Sequence, residues 1–215
     1  LASKYGCALA GGDTTRSEEL TISITVLGES PTPLLRSGAQ QDDMLWVSGT
    51  LGDAALGLAI NNGAYESLKL SEPQRAHIRQ RLHTPSPRVK LGVALRGLAS
   101  SCMDVSDGIA GDLHHILKAS DVDATVDIDA LPLSAELQLA KRSGIDVLPL
   151  VLSGGDDYEL LFTAPANQRQ AVIDAAASVG VAVTAIGSAA WALTRANTGP
   201  RDIGLPPTAP MRLED

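Results

Sequence analysis

Apolar residues recur along this chain in two rhythms, and the switches between them mark the predicted elements. Residues 20–27, Leu-Thr-Ile-Ser-Ile-Thr-Val-Leu, alternate apolar with small polar side chains, the period of a strand with one buried face. Shorter apolar runs over 7–10, 44–48, 101–105, 124–128, 158–163 and 181–186 read as further strands. Helical spacing takes over in 54–61, stopped by Asn62-Gly63, and in 72–82 and 87–98, the last with Pro87 in its first turn, where a missing N–H costs nothing. It returns after Ser106-Asp107, which reads as the cap of a helix with Ile109, Leu113, Ile116 and Leu117 on one face. Residues 135–142 and 167–179 complete the set, and 1–5 read as the end of a helix. Strands alternating with helices predict an α/β or α+β class. The pattern breaks over 28–33, which divides the chain into residues 1–29 and 30–215; after Gly187 little pattern remains, and there is no internal repeat.

Composition narrows the chemistry. At 215 residues and 44% hydrophobic the chain has enough apolar matter for a sizeable core, but aromatics are only 3%, so aliphatic residues and alanine must do the packing. The balance of 17 basic against 25 acidic side chains, net -8, argues against nucleic acid or an anionic membrane as partner. Cys7 and Cys102 lack any zinc-ligand or disulfide spacing. There is no apolar run of transmembrane length and no signal-peptide pattern, so the expectation is a soluble, cytoplasmic protein. The chain opens at Leu1 as if partway through a helix, and the expectation is that something upstream is missing.

Three glycine-flanked acidic turns carry the candidate chemistry: Gly11-Gly12-Asp13-Thr14-Thr15-Arg16, Asp104-Val105-Ser106-Asp107-Gly108 and Ser153-Gly154-Gly155-Asp156-Asp157-Tyr158-Glu159. Clustered carboxylates favour a hard cation such as Mg²⁺, and glycine-rich backbone beside a helix start attracts phosphate oxygens. Each turn also has a plainer reading. Asp104 and Asp107 fit a solvated strand end and an N-cap, Asp13 fits an Asx turn, and Arg36 alone reads as a surface arginine with a fork of donors suited to phosphate. None of His77, His83, His114 or His115 has metal-ligand spacing with these acids, and none is assigned a catalytic role.

Taken in order, the turns and their neighbours resemble the thiamine-monophosphate kinase family, of the superfamily that includes aminoimidazole ribonucleotide synthetase, selenophosphate synthetase and the hydrogenase-maturation dehydratase. The residues that carry the resemblance are Gly11 to Arg16, Leu35-Arg36-Ser37-Gly38-Ala39, Val47 to Ala55, Pro85-Ser86-Pro87-Arg88, Met103 to Gly108 with Asp112-Leu113 and Lys118-Ala119-Ser120, and Leu152 to Leu160. It implies the C-terminal α/β domain of the aminoimidazole ribonucleotide synthetase-like fold over 30–215, preceded in 1–29 by the last strands of an N-terminal domain that binds ATP and Mg²⁺ and dimerises.

The implied reaction is transfer of the ATP γ-phosphoryl group to thiamine monophosphate, with several Mg²⁺ ions and a homodimer in the intact family. By matching positions, Gly12, Asp13, Arg36 and Ser106 would bind ATP, Asp13, Asp104 and Asp107 would bind Mg²⁺, and Asp156 would contact the thiamine substrate. The family usually has glutamate where Asp156 stands. Its substrate-packing C-terminal aromatic has only Trp191 as a counterpart. With most of an N-terminal domain absent, the chain alone is expected to be inactive or severely impaired, and its leftover strand to re-pair or aggregate. The rival readings are another ATP-using enzyme of the superfamily and a non-catalytic nucleotide-binding or assembly module.

Overall fold

Alternation along the strands decides how the sheet is sandwiched. The structure, a computed structural model, describes residues 2–191. Five strands, β1 (Met44–Ser48), β2 (Ser101–Asp104), β3 (Val122–Val126), β4 (Leu160–Ala164) and β5 (Val183–Trp191), form one sheet in the order β2-β4-β1-β5-β3, and every pairing is antiparallel. Successive side chains point to opposite faces. Leu45, Val47 and Leu161 therefore enter one core, and Trp46 and Phe162 the other.

Among the described residues seven α-helices cover the two faces: α1 (Asp53–Asn61), α2 (Glu72–His83), α3 (Val89–Ala94), α4 (Ile109–Ser120), α5 (Ala135–Arg142), α6 (Leu148–Ser153) and α7 (Arg169–Ser178). Leu56, Ile78, Ile109, Ile116, Leu137 and Val151, from α1, α2, α4, α5 and α6, pack on the Val47 face. Leu91 of α3 and Val172 and Ala176 of α7 pack on the Trp46 face. There the register sets Trp46 opposite Phe162, and the two rings stack 6.2 Å apart with 7° between their planes. With so few aromatics in the chain, this one pair fills much of the second core.

Most predicted elements are present with shifted ends, and the larger differences have physical causes. The strands expected over 7–10 and 20–27 are absent. A strand exists only where a neighbour takes up its N–H and C=O groups; among the described residues no strand meets this segment, and Leu20 (91%), Ile22 (73%) and Ile24 (82%) stand exposed. The helix expected over 87–98 shrinks to α3, because Arg88 occupies its cap and Gly97, at φ 77°, turns the chain away. β3 begins two residues early: Asp121 ends α4 in the left-handed conformation, and Asp127 caps a short 3-10 turn beyond the strand. β5 outruns its expected end at 186 because its first half pairs with β1 and its second half with β3. α6 has no counterpart in the sequence reading, since six residues are too few to show a period. The side chain of Trp191 and the tail beyond it lie outside the described residues.

Phe162→Ala, which removes a fully buried ring, is expected to lower unfolding free energy by about 3–5 kcal/mol in denaturant titrations. A loss below about 1 kcal/mol would contradict the stacked core described here.

Candidate functional site

The turn after β2 is built from within the helix that follows it. Asp112, 1% exposed on the first turn of α4, accepts hydrogen bonds from the backbone N–H groups of Ser106 (2.9 Å) and Asp107 (3.0 Å). Ser106-Asp107 was the expected cap; the N-cap is instead Gly108, no side chain caps the helix, and Asp112 ties down the two residues before it. Burial pushes the Asp112 carboxyl above its usual range, and the two N–H bonds pull against that shift. Gly108, at φ 98°, then starts α4, whose positive end faces the turn.

Turn 153–159 lies directly on this one. Ser106 and Val105 carbonyls accept from the N–H groups of Asp156 and Tyr158, both at 2.9 Å, and the Val105 N–H donates to the Glu159 carbonyl at 2.8 Å. Gly155, at φ 66°, sits so close to the Ser106 carbonyl that any Cβ would collide with it. Asp156 (φ 59°) and Tyr158 (φ 49°) both take the left-handed conformation that non-glycine residues rarely adopt. Burial alternates along the turn: Asp156 and Tyr158 are exposed, Asp157 and Glu159 buried.

On the outer face, the Tyr158 hydroxyl donates to Asp156 Oδ1 at 3.1 Å. That bond, more than burial or the nearby Asp156, Asp104 and Asp107 charges, holds the phenol above its ordinary value. Asp104, Asp107, Asp156 and Tyr158 thus share one surface at the end of β2 and the start of α4. Ser106 lies in the same turn, part-buried.

The other predicted site residues are elsewhere. Gly12 and Asp13 are exposed in irregular chain, and the Asp13 carboxylate accepts from the neighbouring Thr14 N–H at 2.8 Å. Arg36 belongs to a loop whose Gly38 and Ala39 N–H groups donate to the hydroxyl of Ser120, the last residue of α4. A helix of this length spans about 18 Å, so the Arg36 backbone stands at the opposite end of α4 from Asp107. Among the described residues no three His, Cys, Asp or Glu side chains are grouped to hold a metal ion by themselves.

On the inner face lies a charge network. Glu159, its side chain 1% exposed, accepts from Ser48 Oγ (2.6 Å), Arg81 Nη1 (3.0 Å), Arg88 Nε (2.7 Å) and Arg88 Nη2 (2.6 Å). Asp157 accepts from the Gly52 N–H at 2.7 Å, at the positive end of α1, and lies 3.8 Å from Arg81 Nη2. Asp53, also buried, lies 3.4 Å from Arg81 Nε and accepts from Thr50 Oγ1 at 2.5 Å. Gly49 makes room for this, because a Cβ there would overlap the Glu159 carboxylate. Three buried carboxylates face two arginines, with the half-exposed His77 4.0 Å from Asp53 as the only further basic group in reach among the described residues. The cluster carries one excess negative charge when all three acids are ionised. Burial accordingly pushes the Asp157 carboxyl up to about 7, against the pull of the Gly52 N–H and Arg81, and with Asp53 adding to the rise. A hollow beside Arg81, Ser86 and Arg88 opens next to this network.

Comparison with known proteins agrees with this architecture. Residues 40–190 match the family model described as AIR synthase related protein, C-terminal domain. The chain belongs to the AIR synthase related family. Within that family it is 44% identical over 190 residues to a thiamine-monophosphate kinase of Salmonella typhimurium, an alignment covering 87% of this chain and 57% of the relative. Among solved structures it is similar to thiamine-monophosphate kinase from Stenotrophomonas maltophilia K279a, with a TM-score of 0.67 and 45% identity over 74% of this chain and 50% of that one. It is also similar to AaThiL complexed with AMPPCP and TMP, with a TM-score of 0.61 and 31% identity over 74% of this chain and 48% of that one. The chain thus spans about half the length of these relatives.

The sequence of this AIR synthase related chain marked Asp157 and Glu159 as part of an acidic turn and Asp53 and Arg88 as part of family motifs, but did not join them to one another or to Arg81. A signal was present: counting back by two from the core residue Leu161 puts Glu159 and Asp157 on the inward phase, where carboxylates need buried cations. Because its folded value is raised, Asp157 stabilises the fold in its protonated form, and that contribution fades as pH rises from about 4 towards about 7. Asp157→Asn should remove this dependence, so that its stability relative to wild type improves between pH 5 and pH 8 by on the order of 1–3 kcal/mol in urea titrations. An unchanged difference between the two pH values would contradict a strained Asp157 charge.

Proposed function

We propose that the protein transfers the γ-phosphoryl group of ATP to the phosphate of thiamine monophosphate, giving thiamine diphosphate and ADP. The observation that carries this reading is the shared surface of Asp104, Asp107 and Asp156 at the start of α4, in a chain 44% and 45% identical to proteins named thiamine-monophosphate kinase. The complex of the similar AaThiL with AMPPCP and TMP supports a nucleotide and a second phosphorylated ligand as co-substrates.

The chemistry asks little of a protein base. The acceptor is already an anionic phosphate oxygen, so positioning and charge neutralisation carry the reaction. Mg²⁺ is held by one or two carboxylates together with waters and substrate phosphates, and the Asp104 and Asp107 pair offers that donor set rather than a closed cage. Metal bound there would neutralise the charge that gathers on the transferred group. Ser106 and the open N–H groups at the start of α4 would receive nucleotide oxygens. Asp156, its carboxylate oriented by Tyr158, would meet the cationic thiamine ring system. In this reading residues 1–29 are the remnant of an N-terminal ATP- and Mg²⁺-binding domain, and 30–215 the C-terminal domain. Gly12 and Asp13 reach the nucleotide only when that domain, or the partner protomer of a homodimer, sets residues 1–29 in place, whereas the loop of Arg36 is already tied to Ser120 and Cys102.

A coupled ADP-release assay tests this with the chain alone and with the chain fused to the N-terminal part of the Salmonella typhimurium relative. The fusion is expected to release ADP only when thiamine monophosphate is added, the chain alone to be inactive or nearly so, and Asp104→Asn or Asp107→Asn in the fusion to lower kcat by about 100-fold or more. Release driven by formylglycinamidine ribonucleotide or selenide would transfer the assignment to another enzyme of the superfamily. Nucleotide binding without turnover in both forms would favour an assembly module.

A further inference from the structure

The turn 155–159 is gripped from below by a residue that touches none of the outer acids. Arg81 leaves α2 almost fully buried and spreads its guanidinium over four groups: Nη1 donates to Glu159, Nη2 donates to the Thr50 carbonyl at 2.9 Å and lies by Asp157, and Nε lies by Asp53. Arg88, the other cation of the network, grips Glu159 alone. Arg81 is therefore the side chain that links both inward acids of the turn to the Thr50–Asp53 corner.

Between those two inward acids stands Tyr158, and beside them Asp156, both in the left-handed conformation. Such a conformation persists only where the surroundings over-determine it. From above, the restraint is the pair of backbone bonds to Val105 and Ser106; from below, Gly52 holds Asp157, Ser48 and Arg88 hold Glu159, and Arg81 alone reaches both acids. We propose that Arg81 is a positioning residue for the acidic surface: acting through Asp157 and Glu159, it fixes the turn and so sets where Asp156 and Tyr158 stand against Asp104 and Asp107. The geometric part is independent of any reaction. Its bearing on substrate rests on the kinase reading.

The test replaces the three tyrosines, Tyr5, Tyr65 and Tyr158, with 3-fluorotyrosine and follows ¹⁹F resonances of the full chain, Tyr158 being assigned by Tyr158→Phe. Arg81→Lys keeps the charge and loses the planar fork. It is expected to shift or split the Tyr158 resonance while the other two stay in place; Arg88→Lys, which loosens only Glu159, should shift it less. Should Arg81→Lys fail to fold, Asp157→Ala, which cuts one of the two links, carries the same expectation. A Tyr158 resonance unmoved in a folded Arg81→Lys or Asp157→Ala protein would overturn the proposal.

In the kinase fusion, Arg81→Lys is expected to raise KM for thiamine monophosphate by about tenfold with a smaller change in KM for ATP, a split that general destabilisation would not produce. Loss of the kinase reading shows itself differently, as absence of turnover in the unsubstituted fusion with the Tyr158 shift intact.

Discussion

Glu159 accepts four hydrogen bonds in a place that water hardly reaches, two from the fork of Arg88 and one each from Ser48 and Arg81. A buried carboxylate without partners is strongly unfavourable, and removing one partner of such an ion pair typically costs about 3–5 kcal/mol. Ser48 closes β1, Arg81 leaves α2, Arg88 caps α3, and Glu159 itself precedes β4. The side chain is tolerated only when all four elements are in place together. The network thereby selects one arrangement of the helices on the sheet, where apolar packing alone would accept several.

The acidic surface inherits its geometry from that requirement. Once Glu159 is fixed, the strand period fixes Asp157 on the same side and turns Tyr158 and Asp156 to the other. Close backbone contact at Gly155 then seats this turn on Val105 and Ser106, which brings Asp156 to the end of β2. Asp112 completes the corner from inside α4. No outer acid has to be held by its own side-chain contacts with another acid, so charges that repel one another are gathered by backbone geometry.

Much of this was legible in the sequence. The apolar phases of β1, β4 and α4 and the glycine turns gave the elements and the acidic corner, because both depend on local period and local conformational freedom. What was not legible depends on partners remote in the chain. The alternating run over residues 20–27 has the pattern of a strand but no neighbouring strand among the described residues, and period alone cannot show that. Ser106-Asp107 has the composition of a cap, yet Gly108 takes the N-cap position with no side-chain bond, and the Ser106 and Asp107 amides turn to Asp112 inside the helix. Arg36 and Asp13 were grouped with Asp104 by resemblance; the loop of Arg36 does run beside β2, where the Leu35 carbonyl accepts from the Cys102 N–H at 2.8 Å, while Asp13 lies exposed in irregular chain. Arg81, more than seventy residues from Glu159, gave no local sign at all.

The alternation of turn 155–159 also bears on how this chain could change. Adjacent positions answer to unrelated demands: Asp157 and Glu159 to the solvation of ions inside a folded body, Asp156 and Tyr158 to whatever occupies the surface. A library at the outer pair, restricted to side chains that accept the left-handed backbone there, would leave the buried ions undisturbed. One randomised at the inner pair would sort by yield of folded protein. Five consecutive residues thus hold a nearly orthogonal pair of dials, and new ligand specificity in this scaffold is more accessible through Asp156 and Tyr158 than the density of charge in the motif suggests.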